Sequence, residues 1–284
     1  MSNCSTAVHV IGASGRSGGA LCRSLLVDGV PIVPVVRNPA EWSGIAPRVA
    51  DVTDPARLRD VLHDAIRVVC CAHARHAAAV IDAAPPEARL IFLGSTRKFT
   101  HWPDGHGNGV LAGEAAFATS GRSGVMLHPT MIYGAQGEDN VQRLAALLRH
   151  LPIVPLPDGG RALVQPIHQD DVTRAIRVAL EHPWAGPHSL VIAGLTALPY
   201  ADFVRAVAVA ARLRPPRIIG IAAGPLMALA GVLRYIPMLP RIRPAEIRRL
   251  MEDKNFDVRP MIDTLGFEPI PLQEGLARTF TDRR

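Results

Sequence analysis

The chain has 284 residues, with 31 Lys and Arg against 25 Asp and Glu, 48% hydrophobic and 5% aromatic content. That length buries a large core in one soluble α/β chain and leaves room for a small second lobe. The net charge of +6 is modest and scattered, mostly on arginine, with no basic run carrying interleaved aromatics, which argues against nucleic acid as a partner.

The first five residues, Met1-Ser2-Asn3-Cys4-Ser5, read as too polar for a secretory signal and lead into the apolar run Ala7–Ile11. Gly12-Ala13-Ser14-Gly15-Arg16-Ser17-Gly18 follows, and then the helix-like Ala20–Leu26. Strand, glycine turn and helix in that order make a phosphate cradle. The first glycine permits the tight turn, the second lets backbone approach a pyrophosphate, and the third lets the helix pack closely on its strand. The phosphates then meet free backbone N–H groups and the positive end of a helix. The spacing is G-x-x-G-x-x-G, one residue different from the G-x-G-x-x-G dinucleotide pattern.

The next apolar run, Ile32–Val36, ends in Arg37. An acidic residue there bonds a ribose 2′-hydroxyl, whereas an arginine suits a 2′-phosphate. Arg16 in the glycine turn offers a second guanidinium to the same group. The pair favours NADP(H) over NAD(H), which stays open as the other cofactor. Pro34 removes a ladder donor from a strand expected to be internal, so a late start or a bulge is expected there.

Asp54-Pro55 reads as an N-cap followed by proline at the first helical position, opening a helix through Leu62. Ile66–Ala72 is apolar without alternation, as a buried parallel strand is. A helix through Val80 and Ile81 stops at Pro85-Pro86, and Arg89–Leu93 is the next strand, ending in Gly94-Ser95-Thr96. A helix runs past Glu114 to Thr119, and Gly124–His128 is a further strand. Alternation of this kind predicts a Rossmann-type, doubly wound parallel sheet with helices on both faces, its ligands at the C-terminal strand edge.

Beyond Thr130 the pattern loosens. Helices are expected over Val141–His150, from Asp170 to Leu180, over Tyr200–Arg212, Gly224–Leu233 and Pro244–Asp253, with Pro152–Pro157 as a proline-rich loop. The chain is therefore read as a single unit over 1–284. Residues 1–165 are mainly the dinucleotide-binding core. Residues 166–284 are mixed, adding late core elements and a smaller C-terminal substrate lobe.

Cys4, Cys22, Cys70 and Cys71 form no C-x-x-C and read as reduced thiols of a cytoplasmic protein. The longest apolar stretch, Ile218–Leu233, is shorter than the ~20 residues a membrane span needs and is broken by Gly220, Gly224, Pro225 and Gly231. Core packing is its default reading. Contact of 218–243 with a membrane surface is the alternative that Arg234, Arg241 and Arg243 permit. No Cys/His spacing of zinc type occurs, so no metal is expected.

With these landmarks the chain resembles the extended or atypical short-chain dehydrogenase/reductases, the NAD-dependent epimerase/dehydratase family. The Gly12–Gly18 turn is one match. Asp51-Val52 with Asp54 is similar to the family's D-V/L-x-D segment, which meets adenine, and Ala72 stands where the family lines the nicotinamide ribose. Ser95-Thr96 ends a strand where the family keeps a hydroxyl near the substrate. His128-Pro129-Thr130-Met131-Ile132-Tyr133-Gly134 resembles the family's R-P-x-x-I/V-Y-G turn, and Val164–Val172 resembles its V-x-x-V-H-V-x-D-V segment. The resemblance thus implies Gly12, Ser14, Gly15, Arg16, Ser17, Gly18, Arg37, Asp51, Val52, Ala72 and Pro129 at the cofactor. It implies Tyr133, Arg161 and His168 at a small-molecule substrate, which a nucleotide-linked sugar would fit, and it is compatible with a homodimer.

The family's catalytic Tyr and Lys, four residues apart, are missing. The only lysines are Lys98 and Lys254, the only tyrosines Tyr133, Tyr200 and Tyr235, and no two have that spacing. Counting back from Glu114 puts His106 at the tyrosine position and Val110 at the lysine position. Three expectations follow. His106, or else His101, is a substitute acid, with Ser95 and Thr96 beside it, since imidazole titrates near neutrality. Alternatively Lys98 reaches the ribose from another direction. Or the protein binds its cofactor without turnover, as a sensor or an assembly factor.

Overall fold

The computed structural model describes residues 7–38, 45–134, 140–227 and 244–281. Cys4 and residues 228–243, with Arg234, Arg241 and Arg243, lie outside the described residues. The chain divides into two compact units. One comprises Met1–Thr130, Gln169–Ile192 and Val258–Glu268, the other Met131–His168, Ala193–Asp257 and Pro269–Arg284. The chain therefore first leaves the sheet unit after Thr130, and later segments return to it.

The first unit is built on a seven-stranded sheet. Its strands are β1 (Val8–Ile11), β2 (Ile32–Val36), β3 (Arg48–Val49), β4 (Arg67–Cys70), β5 (Arg89–Leu93), β6 (Gly124–Pro129) and β11 (Pro187–Ile192). They lie in the order β11-β6-β5-β4-β1-β2-β3, every pair parallel. Successive strands run one way from β1 to β3, and the other way from β4 onwards. The switch point of the sheet thus falls between β1 and β4, where ligands bind in open α/β sheets.

Side-chain alternation explains the continuous apolar runs. Val68, Cys70, Leu90, Phe92 and Met126 face one side, packed under Leu58, Val61 and Leu62 of α2 (Pro55–Leu62), Val80 of α3 (Ala77–Ala83), and Val110 and Phe117 of α4 (Gly105–Thr119). Val69, Ile91, Val125 and Leu127 point the other way and are buried too, beside α1 (Arg16–Val27) and α6 (Gln169–Glu181). Burial on both faces leaves no position for polar alternation. Asp54 caps α2 as the sequence requires, its carboxylate accepting from the Arg57 N–H, with Pro55 in the first turn.

Pro34 needs no bulge. In β2 the groups of Pro31 and Val35 bond β1, while Val36 bonds towards β3. Alternation turns Pro34 to the β3 side, and β3 begins pairing only at Val35 and Val36. The missing donor therefore falls where no partner strand lies.

Among the described residues the second unit holds three two-stranded ladders. They are β7 (Ile132–Tyr133) with β10 (Ile167–His168), β9 (Leu163–Val164) with β12 (Leu198–Pro199), and β8 (Ile153–Pro157) with β13 (Arg217–Ile221). The third corrects the expected proline-rich loop, since 153–157 is a strand paired in parallel with 217–221. A strand with a single ladder partner tolerates proline, because half of its donors face no strand. The same pairing limits the core-packing reading of Ile218 onwards: residues 217–221 are a strand with Ile218 and Ile221 half-buried and Ile219 and Gly220 exposed. Around these ladders, α5 (Asn140–Leu148), α7 (Tyr200–Ala210) and the helix Leu272–Thr281 contribute Val141, Ala145, Val204, Val207 and Leu276 to one core. No helix among the described residues is long and apolar enough to cross a membrane.

At the opposite end of the sheet from the switch-point edge, one ion pair ties β3 to the turn before β4. Arg48 binds Asp64 through its Nη1 and Nη2, at 2.5 and 2.7 Å, and donates from Nη1 to the Val61 carbonyl at 2.7 Å. Buried His9 of β1 bonds the same carboxylate at 3.1 Å. The Arg48 hydrogen bonds hold the Asp64 carboxyl well below the usual carboxylate range. Such a depressed group stabilises the fold fully above ~pH 4 and loses its contribution as pH falls further. We expect Asp64→Asn to cost about 1–3 kcal/mol at neutral pH, measured by urea denaturation, and the gap to the parent protein to close below pH 4. A gap that does not change with pH would show that the pair carries none of the acid sensitivity.

Candidate functional site

The end of β1 and the start of α1 form a cradle of bare backbone. Gly12 has φ +78°, a left-handed conformation that favours glycine, and a Cβ there would lie 3.2 Å from the Ala72 amide nitrogen. At Gly18 a Cβ would collide with the Gly12 carbonyl, so only glycine lets α1 sit this close to its strand. Gly15 is the N-cap and lends no side-chain bond, and the first turn of α1 carries no acidic residue. The orphan N–H groups of that turn are thus left to an incoming anion. Ser14, Gly15 and Arg16 are exposed around it. Ser17 differs from expectation. It is buried, and its hydroxyl donates to Gln169 at 3.3 Å, so it joins α1 to α6 and is not turned to the cradle.

Arg37 stands exposed just past the last residue of β2. Asp51 follows β3, and its carboxylate accepts from the Thr53 N–H at 2.9 Å and the Thr53 hydroxyl at 2.7 Å. Those bonds, with a smaller effect from Arg37, lower its pKa. Val52 packs half-buried against the sheet core.

The ends of β4, β5 and β6 bring the next group together. Cys70 ends β4 and is buried as a thiol, its pKa pushed up to about 12 by burial. Cys71, Ala72 and His73 come directly after it. Ser95 caps the 3-10 turn Thr96–Phe99, its hydroxyl accepting from the Arg97 N–H at 3.2 Å. Thr96 is buried and donates to the Pro129 carbonyl at 3.2 Å. Both hydroxyls expected near a substrate therefore also shape their own turn.

Lys98 does not reach towards a ribose. Its ammonium donates to Glu114 at 2.5 Å and lies 3.3 Å from the His128 Nε2. Ser189 of β11 donates to the same Glu114 oxygen at 2.5 Å. His128 is fully buried and accepts the Ser95 N–H on Nδ1 at 3.3 Å. Its proton therefore resides on Nε2, which lies 3.2 Å from Glu114. Gly94 makes room, since a Cβ there would run into the His128 ring. A lysine, a glutamate, an imidazole and a serine thus lock the strand ends to α4. The sequence singled out Lys98, Glu114 and His128 separately but gave no sign that they meet, and Ser189 belongs to no motif.

Helix α4 begins where the resemblance puts the catalytic pair. Asp104 caps it, accepting from the N–H groups of His106 and Gly107 at 3.0 and 2.8 Å, and pairs with Arg97. His106 is half-buried and packs edge-on against His73, with ring centroids 4.3 Å apart. Val110, at the lysine position, is only 1% exposed, so no polar group projects from it. His101 is exposed in the loop before α4. His73 is the residue the sequence reading missed, although it directly follows Ala72.

In the second unit, Tyr133 and His168 face each other across the β7–β10 ladder with ring centroids 5.2 Å apart. Tyr133 is fully buried and His168 is 4% exposed. Gly275 lies against both, and a Cβ there would strike the tyrosine hydroxyl. They belong to the core of this unit, as packed groups. Arg161 is its opposite, 82% exposed and 3.6 Å from Asp158.

No family model matches the chain, and no curated protein matches it by sequence. Solved structures do match. The NADPH-dependent quinone oxidoreductase of Escherichia coli, complexed with NADPH, superposes with a TM-score of 0.75 at 21% identity, over 96% of this chain and 100% of that one. UDP-glucuronic acid 4-epimerase of Bacillus cereus, complexed with UDP-glucuronic acid and NAD, gives 0.73 at 14% identity over 96% and 98%. A short-chain dehydrogenase/reductase superfamily protein of Agrobacterium tumefaciens with bound NAD gives 0.71 at 15% over 96% and 95%. The fold is theirs. At these identities the likeness is one of architecture, and it agrees with the resemblance read from the motifs.

The His128 cluster makes a testable demand on stability. Burial first, and the Lys98 charge second, hold the His128 pKa down to about 4. From its unfolded value of ~6.5 down to about 4, the unfolded chain takes up a proton that the folded chain refuses, so stability falls with pH across that window. His128→Gln removes this share, at most about 3 kcal/mol. Melting curves between pH 7 and pH 4 should have a shallower pH slope in the variant. An unchanged slope would mean that His128 is not held neutral.

Proposed function

We propose that the chain is an NADP(H)-binding oxidoreductase or epimerase-like enzyme acting on a small polar substrate, of which a nucleotide-linked sugar is one class. The observation that carries this is the uncapped N-terminus of α1 at the sheet's switch point, with Arg37 at the end of β2. A dinucleotide fits there by three tests. The Gly12–Gly18 backbone leaves space that a Cβ would fill, the first helical turn offers orphan donors, and no acidic side chain of that turn competes for them.

The residues that would hold the cofactor follow from position. Backbone amides of residues 12–18 would take the pyrophosphate, and Arg37 with Arg16 the 2′-phosphate. Asp51 and Val52 would flank adenine, and Ala72 and Pro129 the nicotinamide end, as the resemblance implies. A bound nicotinamide supplies or accepts a hydride, and the chain must then move the matching proton. His106 is the group we assign to that proton, with Ser95 and Thr96 shaping the adjoining turn. Tyr133 and His168 would support the substrate side through packing. The reading includes a cytoplasmic setting, where Cys22, raised to about 12 by burial, stays a buried thiol.

A second reading has its own support: buried Val110 replaces the lysine and Lys98 is bound to Glu114, so no ammonium is assigned to a ribose. On that reading the chain binds NADP(H) as a sensor or assembly factor without turnover. NADPH oxidation against a panel of carbonyls, quinones and nucleotide sugars separates the two, with tight binding but no turnover favouring the second.

The cofactor assignment predicts a preference. Charge-assisted bonds contribute about 1.5–3 kcal/mol each, so NADPH should bind at least about tenfold tighter than NADH by calorimetry. Arg37→Ala should erase most of that difference while leaving NADH affinity within about twofold. Equal affinities in the parent protein would rule out the 2′-phosphate role.

A further inference from the structure

We propose that His73 and His106 work as one imidazole couple, in which His106 bears the exchangeable proton and His73 is its positioning residue. The inference rests on the reading of His106 as the chain's proton-bearing group and adds the residue through which the fold controls it. The two rings meet edge to face, 4.3 Å between centroids and 78° between planes. They come from separate elements: His73 precedes the 3-10 turn Ala74–His76 after β4, and His106 lies in the first turn of α4.

The contact is built into the backbone. Gly113 of α4 lies where any Cβ would collide with the Ala74 carbonyl, and a Cβ at Gly109 would stand 2.9 Å from the His73 Cε1. Glycine at both positions lets the helix lie directly on residues 73–75. The orientation of His73 is fixed from the other side. Its Nδ1 accepts the Arg75 N–H at 3.1 Å and the Arg75 Nε–H at 3.3 Å. A nitrogen that accepts has no proton, so the neutral ring carries its hydrogen on Nε2. That Nε2 is buried and finds no hydrogen-bond partner among the described residues.

The charged groups facing His73 are Arg75 and His76 from its own segment, His106 from α4 and Arg97 from the 96–99 turn. Burial first, and then these cations, keep His73 neutral until about pH 4. Two imidazoles at this distance do not both take a proton at small cost. Any first proton the couple takes up therefore goes to the half-buried His106. When His106 gives that proton to a substrate oxygen, its nitrogen keeps the electron pair and the couple becomes neutral. His73 stays neutral throughout and holds the ring in place.

The test uses imidazole resonances of the full chain without cofactor, titrated by NMR in the parent protein, His106→Phe and His73→Asn. Phenylalanine preserves ring packing at 106. Asparagine keeps an acceptor for the Arg75 N–H at the cap of the 3-10 turn. In His106→Phe the His73 midpoint should rise from about 4, and only part of the way towards the ordinary ~6.5, because burial, Arg75, His76 and Arg97 still act on it. In His73→Asn the acid limb of the pH–rate profile should shift and kcat should fall about tenfold, with NADPH affinity within twofold of the parent. An unmoved His73 midpoint, or an unshifted profile, overturns the couple. If the His73 midpoint moves but the parent protein turns over no substrate, the couple stands and the enzymatic reading fails.

Discussion

Everything at the strand edge depends on one close approach of backbone to backbone. Gly18 lies so near the Gly12 carbonyl that a methyl group does not fit between them. That contact brings the first turn of α1 down onto the end of β1, beside the Ala72 amide after β4. The cradle is consequently a property of main chain, and its donors need no side chain to aim them. Side chains then differentiate it: Arg37 on one flank, and the group around His73 and His106 following β4.

Two of the charged clusters of the sheet unit do different work. Arg48, Asp64 and His9 join β1, β3 and the turn before β4, and hold the sheet together. Lys98, Glu114, His128 and Ser189 join the ends of β5, β6 and β11 to α4. Breaking one member of such a cluster leaves the others buried without partners, which costs more than the bond itself gains. The second cluster also accounts for one of the chain's only two lysines, Lys98, which it holds against Glu114.

Much of this was legible in the sequence because local rules and tertiary structure agree. The turn 12–18, the cap at Asp54-Pro55 and the strand Arg89–Leu93 all stand where spacing and propensity put them. The errors arise where a long-range partner decides. Pro152–Pro157 reads as loop by its prolines, and only the distant strand 217–221 makes it a strand. Pro34 reads as a defect until the short β3 shows which side of β2 lacks a neighbour. Ser17 carries a motif position, yet Gln169 claims its hydroxyl. At the candidate site, His106 could be reached by counting from Glu114. Its contact with His73 could not, because it depends on two glycines one helical turn apart that clear the helix surface.

The order in which the chain visits its two units has a consequence for inheritance. It passes from one to the other after Thr130, His168, Ile192, Asp257 and Glu268. No single crossover between genes can exchange one unit and keep the other whole. A recombinant joined at any of these crossings divides at least one unit between two parents. Synthesis faces the same order: β11 is translated only after residues 131–168, so the sheet waits for its last strand while part of the second unit is already made.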